Sequence, residues 1–150
     1  MERLDRFTIR GENGAIKIIL TEVFNFPNST CPWGGYDALA TVKIKAGDFR
    51  VIAEFYLSTG QIYDLLQHLL VCNEQLCGAV QFASYEGNLK FTAQYDNSGH
   101  ISLSGSFRAN SQFNNKLRFV IATDQTFIQK TIRQLTVIVA KYGDNKGVII

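Results

Sequence analysis

Between residues 48 and 70 the hydrophobic pattern of the chain changes period with no linker between. Phe49, Val51, Ala53, Phe55 and Leu57 alternate with Arg50, Ile52, Glu54 and Tyr56, the spacing of two that a half-buried strand requires. From Ile62 onward, Leu65, Leu66, Leu69 and Leu70 fall at helical spacing and form one apolar stripe. The switch lies at Ser58 and Gln61. This S-x-x-Q pattern is a capping box, in which each side chain satisfies a backbone N–H at a helix start. A strand thus runs directly into a helix, and both apolar faces need the same core. The pattern returns over residues 117–135 at a constant offset, since 120 − 55 and 135 − 70 both equal 65. Two units, each of several strands followed by one helix, are expected to dock on a shared sheet.

Read in order, residues 4–9 and 15–24 are expected strands joined by the hairpin turn Gly11-Glu12-Asn13-Gly14. Residues 25–36 form a loop that holds both prolines and the single Trp. Residues 37–45 are a strand, and Ala46-Gly47-Asp48 turns the chain into the alternating stretch. The first helix is expected from Ser58 to about Leu76, with Gly78 as a left-handed stop. Strands follow at residues 79–85, 89–95, 101–107 and 117–122, with a polar loop over 109–115. The last helix starts near Thr123 or Asp124 and ends near Tyr142-Gly143. Residues 144–150 are expected to fray or to add to a sheet edge. Short turns imply antiparallel neighbours, and clean alternation implies a sheet covered on one face. The predicted fold is α+β: a curved antiparallel sheet of about eight strands with two amphipathic helices on its apolar face. Its polar face would carry Lys43, Lys45, Arg50, Glu54, Tyr56, Lys90, Gln94, Ser102, Ser104 and Arg108.

A chain of 150 residues that is 46% hydrophobic is long enough for one real core, so residues 1–150 are expected to be a single domain. Its net charge is +2, and its Lys and Arg residues are dispersed, which argues against direct nucleic-acid binding. The charged N-terminus lacks the apolar segment of a leader, and no apolar run approaches membrane-spanning length. A cytoplasmic protein without a membrane partner is expected. Cys31, Cys72 and Cys77 are then free thiols.

Candidate chemistry is sparse. His68 lies within the first helix and His100 follows Gly99 in a turn. There is no nucleophile motif, P-loop, G-x-G-x-x-G or H-E-x-x-H. A hydrolase built on either histidine is less expected than surface or packing histidines. His68, Cys72 and Cys77 read H-x3-C-x4-C, with Cys31 as a distant fourth ligand. The last spacing is looser than zinc sites favour, and buried free cysteines explain it more simply. No catalytic residue, cofactor or metal is assigned, and a non-enzymatic protein is expected. Phe26, Trp33 and Tyr36, on a loop with Pro and Gly, are candidate binding anchors; the competing reading is that they plug one end of the sheet. Lys43, Lys45, Arg50, Glu54 and Tyr56, on the polar face, are candidate contacts for a charge-complementary protein.

Several segments together resemble the WapI family of bacterial immunity proteins. They are Gly35-Tyr36-Asp37, Ser58-Thr59-Gly60 with Tyr63, Ser84-Tyr85-Glu86-Gly87-Asn88-Leu89, Gly99-His100, Gly105-Ser106-Phe107 and Thr123-Asp124-Gln125-Thr126. The resemblance runs over residues 34–143 and is one of overall pattern. It implies an antidote that binds the C-terminal domain of a cognate polymorphic or contact-dependent toxin, one-to-one, and blocks its active site. It also implies that the toxin is a nuclease, often an RNase acting in the cytosol. A small-ligand-binding α+β domain, with a cavity between sheet and helices, is the alternative.

Overall fold

The computed structural model describes residues 5–109 and 112–148. Leu4 of the first expected strand, positions 110 and 111 of the polar loop, and the terminal Ile149 and Ile150 lie outside the described residues. The elements are β1 (Arg6–Arg10), β2 (Gly14–Val23), β3 (Asp37–Ala46), β4 (Phe49–Ser58), α1 (Thr59–Gln75), β5 (Ala79–Ala83), β6 (Leu89–Tyr95), β7 (His100–Arg108), β8 (Lys116–Asp124) and α2 (Gln125–Tyr142). The α+β class and the order of four strands, a helix, four strands and a helix agree with the sequence reading. All strand pairs are antiparallel.

The strands divide where the sequence reading had one sheet. β1-β2-β3-β4 form one sheet and β5-β6-β7-β8 a second. α1 stands between β4 and β5 in the chain, so β4 ends one meander and β5 starts the other. The two sheets meet instead at a seam between the β1/β2 turn and β8. There Glu12 N–H donates to the Ala122 carbonyl at 2.8 Å. Asn13 bridges the same edge, its Nδ2 donating to the Val120 carbonyl and its Oδ1 accepting from Ala122 N–H, each at 2.9 Å. Gly11 fits because it lacks a side chain: a Cβ there would lie 2.3 Å from the Ala122 carbonyl oxygen. One asparagine side chain thus supplies bonds that a ninth strand would otherwise make.

Inward residues of both sheets enter one buried cluster with Ile62, Leu65, Leu66 and Leu69 of α1 and Ile128, Leu135, Ile138 and Tyr142 of α2. Phe55 on β4 meets Phe107 on β7 edge-to-face, with ring centroids 6.1 Å apart. Each helix begins at the expected cap. Ser58 Oγ accepts from Gln61 N–H at 3.2 Å, and Ser58 N–H donates to Gln61 Oε1 at 3.1 Å. Asp124 Oδ1 accepts from Phe127 N–H at 2.9 Å. α1 ends where expected, but its left-handed stop is Leu76, at φ 52°, and not Gly78. Gly78, at φ 92°, instead opens the second sheet, its carbonyl accepting from Tyr95 N–H at 3.0 Å.

Candidate functional site

Tyr36 organises the loop between β2 and β3. It is 1% exposed; its hydroxyl donates to the Pro27 carbonyl at 3.2 Å and accepts from Val148 N–H at 3.1 Å. The tail through Val148 therefore neither frays nor extends a sheet. It packs on this loop, with Gly35 N–H donating to the Asn145 carbonyl at 2.6 Å. The loop in turn grips the start of α1. Thr59 N–H donates to the Tyr36 carbonyl at 2.8 Å, Tyr36 N–H to Thr59 Oγ1 at 2.8 Å, and Gly60 N–H to the Gly34 carbonyl at 3.1 Å. Backbone meets backbone here: a Cβ on Gly60 would lie 2.5 Å from the Gly34 carbonyl carbon.

Of the three expected loop anchors, only Trp33 offers substantial surface. It is 56% exposed and stacks on Tyr85 of the β5/β6 turn, with ring centroids 5.1 Å apart. Tyr85 is held in turn by donating to Asp37 Oδ1 at 2.6 Å; burial first, then this bond, raises its phenol pKa above the usual tyrosine value. Phe26 is half-buried, edge-on to both Tyr36 and Tyr142. Tyr36 has no surface to give a partner; both residues fasten the loop to the core.

The expected polar face is likewise divided. Lys90, Gln94, Ser102, Ser104 and Arg108 lie on the second sheet, whereas Lys43, Lys45, Arg50, Glu54 and Tyr56 share the outer face of the first. Register brings further cations to that first face. Across the strands, Arg10, Ala15, Lys45 and Arg50 form one row and Thr8, Lys17, Lys43 and Ile52 the next. A third row holds Arg6, Ile19, Thr41 and Glu54. The opposite end is aromatic and aliphatic, with Leu39 beside Tyr56 and Phe24 6.4 Å from the Tyr56 ring. The face thus grades from apolar at the loop end to basic at the hairpin end, about 20 Å away at strand rise. Six cations stand there against Glu22 and Glu54. Among the described residues the ion pairs are His100 with Asp96 and Lys141 with Asp5, so none of the six has an ion-pair partner among them. Arg6, Arg10 and Lys17 were not among the expected contacts, though the period-two alternation of β1 and β2 places them on this side.

Catalytic geometry is poor at the histidines. His68 is exposed on α1. His100 Nδ1 lies 3.1 Å from Ser98 Oγ and 3.6 Å from Asp96 Oδ2. Serine and aspartate thus crowd the same ring nitrogen, whereas a triad needs one on each. Asp96 instead closes the turn, accepting from the N–H of Ser98 and of His100; the Ser98 bonds foremost lower its pKa. Among the described residues no cluster of three or more His, Cys, Asp or Glu side chains is arranged to hold a metal. Cys72 is half-buried and its thiol pKa is raised, by burial first and by Cys77 second. An open depression of about 480 Å³ over β6, β7 and β8 is lined by Glu12, Gln94, Asp96, His100, Ser102 and Thr123 among others.

Compared with known protein families, residues 6–143 match the one described as Immunity protein WapI-like family. Neither the curated proteins nor the solved structures give a match.

Proposed function

The chain belongs to the WapI-like immunity protein family, and from that premise we propose that it neutralises a cognate toxin by binding it, without chemistry of its own. The partner is the toxin's C-terminal domain, a nuclease of the RNase type, bound one-to-one in the cytoplasm so that its active site is covered. The nuclease identity rests on the family resemblance. The site rests on one observation: a basic sheet face whose six cations have no ion-pair partner among the described residues. Unneutralised Lys and Arg on a preformed surface steer and orient an acidic patch of the partner. Trp33, braced by Tyr85, supplies the kind of fixed aromatic that anchors an interface.

Two measurements test this. Cells making the toxin domain encoded beside this chain should survive only when the chain is co-expressed. The exposed pair Lys43→Glu and Lys45→Glu, made together, should weaken the purified complex by about 1–3 kcal/mol, roughly five- to 150-fold in Kd. Absence of protection sinks the immunity reading. Protection with unchanged affinity in the double variant moves the interface off this face.

A further inference from the structure

Three of the four sheet edges are covered in part. On β1, Thr8 N–H donates to Gln134 Oε1 at 2.8 Å and the Thr8 carbonyl accepts from Thr131 Oγ1 at 2.7 Å. The edge of β8 is bridged by Glu12 and Asn13. β5 is short, and its Ala83 carbonyl accepts from Gln61 Nε2 at 2.9 Å. The edge of β4 has no such cover, although β4 runs for 10 residues.

Which β4 groups face outward follows from its register. Thr59 N–H bonds the Tyr36 carbonyl, so the Asp37/Ser58 pair just inside is a non-bonded one, and alternation fixes the rest. Phe24 N–H bonding the Asp37 carbonyl from the other side agrees. Arg50, Ile52, Glu54 and Tyr56 therefore turn both N–H and C=O away from β3. Among the described residues none of these groups has a partner in the chain. The same segment carries exposed apolar bulk: Ile52 is 72% and Phe49 67% exposed. Val51 and Ala53, on the inward side, are only half-buried. A long open edge with exposed apolar side chains is a template for strand addition.

The sequence of that edge is complementary to itself. We propose that β4 is a self-association edge, on which two copies of this chain pair antiparallel about a two-fold axis at Ile52. Ile52 then meets Ile52 of the second copy, and Arg50 meets Glu54 in both directions. The outward-bonding residues face one another, so the backbone ladder closes as well. Sliding the register by two residues either way sets a charge opposite Ile52 and breaks the Arg50/Glu54 match, which costs cross-strand stabilisation. The β1–β4 sheets of the two copies become one sheet of eight strands, through an isologous contact. The immunity reading and this one stand independently.

Sedimentation equilibrium of the full chain tests it, with far-UV circular dichroism confirming that each variant folds. The wild type should reach twice its 16.8 kDa chain mass. Arg50→Glu or Glu54→Arg alone sets like charges opposite twice per dimer and should weaken association about tenfold. Combined, they restore opposite charges and should recover it. Ile52→Lys should yield monomer. A wild type monomeric at every concentration overturns the proposal. So does a double variant as weak as the single ones, or a dimer indifferent to all these changes. A monomer whose β4 amides gain exchange protection only when toxin is added would give the edge to the toxin and also overturn it.

Discussion

Tyr95 shows how much one residue depends on a partner far along the chain. It is 5% exposed, and its hydroxyl donates to Asn73 Oδ1 on α1 at 3.0 Å. Burial foremost raises its phenol pKa, because the charged form would lose its water. A raised folded pKa favours the protonated form in the native state. Its stabilisation is thus complete below the unfolded tyrosine value of about 10 and is lost as pH rises above it. Tyr85 and Tyr142 shift in the same direction, so wild-type stability should fall steeply in alkali. Tyr95→Phe should cost about 1–3 kcal/mol near neutral pH, because Asn73 Oδ1 is left buried without its donor. The deficit should narrow above about pH 10, which urea unfolding of both proteins at the two pH values would measure. A deficit independent of pH would place the titration elsewhere. The strand pattern alone identifies Tyr95 as an inward residue of β6. It says nothing of Asn73, because hydrogen-bond partners 22 residues apart leave no mark in a local period.

At the scale of elements, the loop and the start of α1 behave as one clamp. Gly60 sits in the first turn of a helix, where Gly→Ala would ordinarily stabilise by about 0.5–1 kcal/mol. Here the added Cβ would meet three backbone atoms of Gly34, at 2.5, 2.6 and 2.9 Å, and no side-chain rotation relieves that. Gly60→Ala should therefore destabilise by about 1–3 kcal/mol in a denaturant titration; a gain would show that the loop yields freely. The capping box at Ser58 and Gln61 is legible because its two halves are three residues apart and the chemistry is local. That Gly34-Gly35-Tyr36 closes on Ser58-Thr59-Gly60 is not legible, since each segment alone reads only as a turn or a cap. Tyr36 illustrates the consequence. An aromatic in a Pro- and Gly-containing loop reads equally as an anchor for a partner or as a plug, and only its 1% exposure separates the two.

For the whole molecule, two sheets share one hydrophobic cluster, and that predicts a single unfolding transition. Trp33, the only tryptophan, stacks across from the first half of the chain onto Tyr85 of the second, so its fluorescence reports their docking. Fluorescence and far-UV circular dichroism should give coincident urea curves; separate midpoints would mean that the halves unfold independently. Local periodicity was enough for the eight strands, the two helices, their order and the inward residues, because burial on one face imposes a period of two or 3.6 on nearby residues. Tertiary structure decided the rest. It cut one expected sheet into two, closed the seam with the Asn13 side chain, and divided the polar residues between two faces. It also gathered Arg6, Arg10 and Lys17 beside Lys43, Lys45 and Arg50, and left β4 as the open edge. Those outcomes depend on strand register and on contacts between residues distant in sequence, and no repeat along the chain encodes which strand stands next to which.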